Sequence, residues 1–228
     1  VIGQFLDALG SGRYDLDHTA LIITQTGGGC RASNYIHLLR KALVKAGYPQ
    51  VPVVSLNFSG LEKDSGFPVT LPLLRKFLAV IYYGDLLVAL RAQTEPYETE
   101  RGAAEACQEK WLDTICGWIR DDKGWSNREV KAAMPRIAAD FAAIPVRRVP
   151  KVKVGVVGEI YVKYSPLGNN DLERFLASQD CEVNLPGLMG FVQYCAYNPS
   201  ETARLYGGTF LEKHVSDWIL KYIEGMES

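Results

Sequence analysis

The run ALIITQTGGGCRASNYIHLLRKALVKAGYPQVPVVSLN, residues 20–57, decides how the chain is read. Thr19 to Thr24 (TALIIT) is a short continuous apolar stretch, which predicts a strand covered on both faces. Three glycines, a cysteine and several polar residues follow it. Beyond them Ala32, Ile36, Leu39, Leu43 and Ala46 recur at spacings of four and three, so a helix carries one buried stripe and Gly47 stops it. VPVVSLN at 51–57 then reads as a second strand. Strand, helix and strand with short connections form a βαβ unit, whose strands are parallel.

Residues 2–9 on the upstream side suggest a helix. The chain opens on Val1 in what reads as mid-helix, so we expect a piece of a longer polypeptide. Downstream, Leu71 to Ile144 is dominated by helical patterning. LPLLRKFLAVIYYGDLLVALRAQ, residues 71–93, is apolar nearly all round and predicts a buried helix pair broken near Gly84. AAEACQEKWLDTICGWI and REVKAAMPRIAADFAAI read as amphipathic helices. Pro145 and Pro150 punctuate the chain, and KVKVGVVGEI opens a second α/β segment. That segment continues with a helix from about Asn169-Asn170-Asp171, a short strand CEVNLP, and a terminal helix containing His214 to Ile223. The expected class is α/β, with Rossmann-like parallel-sheet segments around a helical insert. Residues 1–70 form the first segment, 71–150 the insert and 151–228 the second segment, which can join 1–70 in one compact domain.

Composition narrows the function classes. A formal net charge of -1, with 47% apolar and 22% charged residues, gives no reason to expect nucleic acid or an anionic membrane as partner. The densest basic cluster, Arg147, Arg148, Lys151 and Lys153, reads as the solvated rim of a strand. No apolar stretch is long enough to span a bilayer and no signal peptide is evident, so a cytoplasmic protein is expected. Five widely spaced cysteines, an odd number, argue against a secreted disulfide framework. No Gly-x-Ser-x-Gly elbow and no HExxH motif occurs, which leaves a hydrolase without support. His18 and His214 have no cysteine or carboxylate at metal spacing, and His37 is expected to be structural or exposed.

Gly27, Gly28 and Gly29 at the carboxyl end of a strand permit positive φ and close approach of a ligand to the backbone. The helix start beyond them offers unpaired N–H groups and a partial positive charge, which favour an anion. The same setting lowers a thiol's pKa, making Cys30 a better nucleophile or metal ligand. Four readings are open. Gly27, Gly29 and Ala32 fit the dinucleotide pattern G-x-G-x-x-A, but the second strand ends on Asn57 where a carboxylate would meet the ribose. A P-loop fails, because no Gly-Lys-Ser/Thr follows. Cys30 can be an iron–sulfur ligand or reactive thiol. In the fourth reading the glycines make a tight turn and Cys30 is a small buried hydrophobe.

A resemblance bears on that choice. QTGGGCRASNYIHLLRKAL, VPVVSLNFSGLE with a following GF, YGDLL, EPYE, KVGVVGEIYVKYSPLGNND and the EV..PG pattern of Glu182 to Gly187 together resemble the 2-hydroxyacyl-CoA dehydratase superfamily. The likeness is narrower to the dehydratase-like portion of large CoA-substrate-specific enzyme activases, the activators of 2-hydroxyglutaryl-CoA dehydratase. It runs over nearly the whole chain, most specifically in TGGGCRASNY and VGEI…NND. The resemblance implies a [4Fe-4S] cluster in the parent protein, held by cysteines from separate loops, and an ATPase module that injects a low-potential electron. It implies partners in the remaining domains of the parent chain, in a dehydratase subunit or in an acyl-CoA. Only Cys30 matches a cluster cysteine, and the family pattern places another just upstream of the GQF segment. In the portion by itself the cluster would then be absent or incomplete, and the portion inactive.

Outside that loop, Glu159 ends a predicted strand, while Asn169, Asn170 and Asp171 open the next helix. Open α/β sheets bind ligands beyond the carboxyl ends of their strands, so this loop can face the glycine-cysteine loop across one crevice. Glu159 and Asn169 would then orient a ligand; alternatively Asn169 or Asn170 caps a helix and Glu159 meets a nearby N–H or Lys163. Arg31, Ser33 and Asn34 lie in the first helical turn, where Ser33 or Asn34 can contact a ligand or bond locally to the backbone. Cys107 and Cys116 are expected to pack on helices, Cys181 to begin a strand and Cys195 to lie in core. No actin-like phosphate loops are found. The competing function classes are a docking or CoA-ligand-binding module without catalysis and an NAD(P)-dependent oxidoreductase.

Overall fold

Apolar periodicity of two kinds, continuous in short runs and spaced by three and four in long ones, builds two separate units, Val1–Leu73 and Leu74–Ser228. The structure is a computed structural model that describes residues 1–25, 31–57, 70–207 and 210–227. It is mostly helical, with two small parallel sheets among the described residues.

In the first unit α1 (Ile2–Gly10) precedes β1 (Leu21–Gln25), a 3-10 turn at Arg31–Ser33, α2 (Tyr35–Ala46) and β2 (Val53–Asn57). β1 and β2 pair in parallel from Leu21 with Val53 to Gln25 with Asn57. Ile36, Leu39 and Leu43 form the buried stripe of α2, as their spacing predicts. Gly47 ends the helix in the left-handed region at φ 84°, and the Tyr48 N–H returns to the Leu43 carbonyl at 2.9 Å. The core joins Leu9, Leu21, Leu39, Leu43 and Val51. β1 is not covered on both faces. Leu21 and Gln25 are buried but Ile22 is 49% exposed, because this sheet has only two strands among the described residues and the core gathers on one face.

The second unit is built on α3 (Leu71–Thr94), which begins at the end of the first. The expected break at Gly84 is absent, and one helix of 24 residues runs through it. A glycine inside a helix costs only about 1 kcal/mol relative to alanine. Tyr83 and Leu87, on either side of it, are fully buried and offset that cost. α4 (Ala103–Arg120) and α5 (Asn127–Ala142) pack on the face carrying Ala79, Tyr83 and Leu87, through Ala104, Trp111, Ile115, Val130, Ala133, Ile137 and Phe141. Trp118 meets Tyr83 and Trp111 edge-on, at centroid distances of 6.3 and 6.0 Å. The Tyr83 hydroxyl donates to the Gly124 carbonyl at 2.9 Å, and burial, helped by the nearby Glu129, pushes its pKa up to about 12. A capping box of Ser126 and Glu129 starts α5.

The connection through Lys153–Gly155 (β3), Ile160–Tyr164 (α6), Pro166–Asn169 (α7), Leu172–Ser178 (α8) and Glu182–Asn184 (β4) is more broken than the sequence suggests. β3 and β4 are three residues each and pair in parallel. Two short helices intervene before α8, because Glu159 and Ser165 each cap a new turn. Two long helices follow, α9 (Leu188–Tyr206) and α10 (Phe210–Glu227), where only the second is evident from sequence. Gly190, Pro199 and an irregular scatter of tyrosines hide the helical period of α9. Met189 and Ile223 bury themselves against Leu78 and Ile81 of α3. No helix among the described residues is long and apolar enough to cross a membrane.

Asp85 fixes where α9 starts. Its Oδ1 accepts the Leu188 N–H at 2.8 Å and its Oδ2 the Met189 N–H at 2.7 Å, a cap supplied from a distant helix. Gly187 makes room for it: a Cβ there would lie 2.4 Å from Asp85 Oδ2. We predict that Asp85→Ala lowers the unfolding free energy by about 1–3 kcal/mol in urea denaturation. Gly187→Ala should lose a comparable amount, and the double variant less than the sum, since both act on the same cap.

Candidate functional site

Polar side chains inside apolar strands mark the place where the glycine-cysteine loop is mounted. Gly27, Gly28, Gly29 and Cys30 lie outside the described residues; their flanks do not. Gln25, the last residue of β1, is only 4% exposed and Ser55 of β2 is wholly buried. Ile23 pairs with Ser55, so in the strand alternation Gln25 and Ser55 point to the same side. The Ser55 hydroxyl donates to Gln25 Oε1 at 2.9 Å, and Gln25 Nε2 donates to the Ser33 carbonyl at 3.0 Å. One buried amide therefore joins the residue before the loop, the turn after it and the neighbouring strand. Neither Gln25 nor Ser55 stands out as a site residue from sequence. The available signal is that Ser55 is a lone polar residue between Val54 and Leu56, whereas Gln25 follows Thr24 at the polar end of its apolar run.

Ser33 is half-buried, whereas Arg31 and Asn34 are exposed. Asn34 caps α2 by position only, without a side-chain hydrogen bond, and its N–H donates to the Arg31 carbonyl at 2.9 Å.

In the second unit Glu159 caps α6, its Oε2 accepting the Val162 N–H at 3.1 Å. Asn169 Oδ1 accepts the Leu172 N–H at 3.2 Å while its Nδ2 donates to the Lys163 carbonyl at 3.3 Å. Both side chains are engaged by local backbone. Asn170 and Asp171 take left-handed backbone at φ 57° and 56° between α7 and α8.

The cysteines correct two expectations. Cys116 and Cys195 are exposed, not packed, because each faces outward on its helix. Cys107 is half-buried beside the α3–α5 core and burial pushes its thiol pKa up, while Cys181 is half-buried just before β4. Among the described residues no three metal-ligating side chains come together. A cubane cluster takes four cysteines in its common form, so the described residues do not fit one by themselves.

A second polar assembly was not foreseen. Arg148, Lys151 and Lys153 do not simply line a solvated rim; they gather at Tyr97 in an open recess of roughly 460 Å³. The Arg148 guanidinium lies 4.6 Å from the Tyr97 ring centroid and Lys151 Nζ 5.7 Å. The Tyr97 hydroxyl donates to Glu182 Oε2 at 2.5 Å, and Lys153 Nζ meets Glu182 Oε1 at 3.0 Å. Those bonds hold the Glu182 carboxyl below the ordinary range, with the Tyr97 hydrogen bond the larger cause. Tyr97 is pushed up, first by the same hydrogen bond and then by burial. Arg148 Nη1 also donates to the Gln93 carbonyl at 2.7 Å, and Lys151 pairs with Asp180.

No family model, curated protein or solved structure matches the chain.

Two outcomes follow from these contacts. Gln25→Leu leaves the buried Ser55 hydroxyl without the acceptor it has in Gln25 Oε1, so we expect a loss of about 1–3 kcal/mol in urea denaturation. For Glu182, a folded pKa below the unfolded one gives stability that is present above about pH 4.5 and lost as pH falls through the folded value. Tyr97→Phe removes the main cause, so its stability should vary less steeply with pH below 4.5 than the parent's.

Proposed function

We propose that the chain is the dehydratase-like portion of an iron–sulfur, ATP-coupled electron-transfer protein related to 2-hydroxyacyl-CoA dehydratases and their activators. In this reading its α/β parts are Rossmann-like and Cys30 is one ligand of a [4Fe-4S] cluster. The observation that carries it is the mounting of the TGGGC loop. Its described flanks are the carboxyl end of a parallel strand and a turn that leads into a helix, and a buried glutamine joins the two. A cysteine on a glycine turn needs such a base, since ligand geometry is only as fixed as the backbone that carries it.

The remaining cluster ligands must come from residues beyond the described ones, in other domains of the parent chain or in a dehydratase subunit. The ATPase module belongs there too. A dinucleotide reading has less support, because β2 ends on Asn57 and not on a carboxylate.

The parent polypeptide, reconstituted anaerobically with iron and sulfide, should bind about four iron atoms per cluster and show the corresponding charge-transfer absorption. Cys30→Ser should retain at most a small fraction of that iron, while Cys116→Ser, on the exposed face of α4, should retain all of it. An iron-free parent, or a Cys30→Ser protein with the full complement, overturns the reading.

A further inference from the structure

We propose that the recess at Tyr97 binds the phosphate group of a phosphorylated small molecule. Three cations, Arg148, Lys151 and Lys153, face a single lining carboxylate, Glu182. Both Glu182 oxygens are engaged, one by the Tyr97 hydroxyl and one by Lys153. A further acid, Asp180, pairs with Lys151 from outside the lining, and its side chain is 81% exposed. Among the lining residues and Asp180, three cations therefore face two carboxylates.

The cations are also positioned. The Tyr97 ring, 6% exposed, holds Arg148 and Lys151 over its face without neutralising them. Lys151 has a side chain only 7% exposed, so its stem is fixed by packing. The Gln93 carbonyl takes one Arg148 N–H and leaves the other donors of the fork for a ligand. Three separately anchored donors around one opening suit a tetrahedral anion with several oxygens better than a carboxylate, which one arginine fork would satisfy. The volume, roughly 460 Å³, exceeds that of a bare phosphate and lies in the range of small-molecule sites. Val149 and Pro150 supply an apolar wall for the rest of the molecule.

This inference is independent of Cys30, and the two tests fail separately. Titration calorimetry at low salt would compare inorganic phosphate, pyrophosphate and adenosine monophosphate on this 228-residue chain, which contains the whole recess, so that binding at an ATPase module elsewhere in the parent does not enter. Pyrophosphate should bind, and tighter binding of the nucleotide would identify a nucleotide phosphate as the source. Arg148→Ala and Lys153→Ala should each weaken pyrophosphate about tenfold, the effect of one charge-assisted hydrogen bond, with Arg148→Lys recovering part. Lys45→Ala, an exposed lysine on α2, should change nothing. A second measurement needs no variant. Pyrophosphate should slow acetylation of Lys153, whose side chain is 71% exposed, several-fold relative to Lys45. No binding by any of the three anions, equal affinity in the folded Arg148 and Lys153 variants, or equal labelling with and without pyrophosphate would each overturn the assignment.

Discussion

Two faces of one helix must be buried at once for the second unit to exist. On α3, Ala79, Tyr83 and Leu87 face the core shared with α4 and α5, whereas Leu78 and Ile81 face Met189 and Ile223. A break near Gly84 would turn these faces out of phase, since a helix keeps i, i+4 and i+8 in register only while its backbone bonds continue. The helix therefore stays whole despite its glycine. Asp85, next along the chain, projects its carboxylate to the amino end of α9 and fixes the place at which that helix begins. Packing chooses the helix's length, and one hydrogen-bonding side chain chooses what docks beside it.

The first unit solves a different problem, that of joining the two flanks of the glycine-rich stretch 26–30 to its core. Gln25 does this by occupying a core position with a polar group that has partners for both its oxygen and its nitrogen. A buried amide with unmet bonds would be costly, which makes the arrangement with Ser55 and Ser33 specific as well as stable.

The α2 stripe, its Gly47 stop and the parallel β1–β2 pair were legible because one period ran uninterrupted to a clear stop residue. The span of α3 and the whole of α9 were not. A helix with two buried faces has no single stripe, and Gly84, Gly190 and Pro199 look like breaks when tertiary packing is unknown. The recess at Tyr97 was illegible for a topological reason. Tyr97 precedes Arg148 by 51 residues and Glu182 by 85 in the chain, and the β3–β4 pairing and the backbone bond from the Arg147 N–H to the Tyr97 carbonyl help bring them together. Gln25 and Ser55 were visible as letters, but their partnership depends on strand register, which the sequence does not print.

The motifs that carry the family likeness differ in what they can say about chemistry. Asp85 of YGDLL caps α9, and Gly187 of the PG pattern leaves it room. Glu98 of EPYE binds the Gly102 and Ala104 N–H groups at 2.5 and 2.8 Å, so it starts α4. Asn169 closes the turn into α8, while Asn170 and Asp171 take the left-handed backbone their residue types tolerate. Each has a complete role in shaping the chain, and a likeness resting on them would speak for a shared fold even between proteins of different activity. TGGGC itself lies outside the described residues, and its flanks bring a buried amide, that of Gln25, to the place where it begins. Iron–sulfur chemistry at Cys30 is accordingly a proposal about five residues and their flanks, and the other motifs bear on the shape of the chain alone.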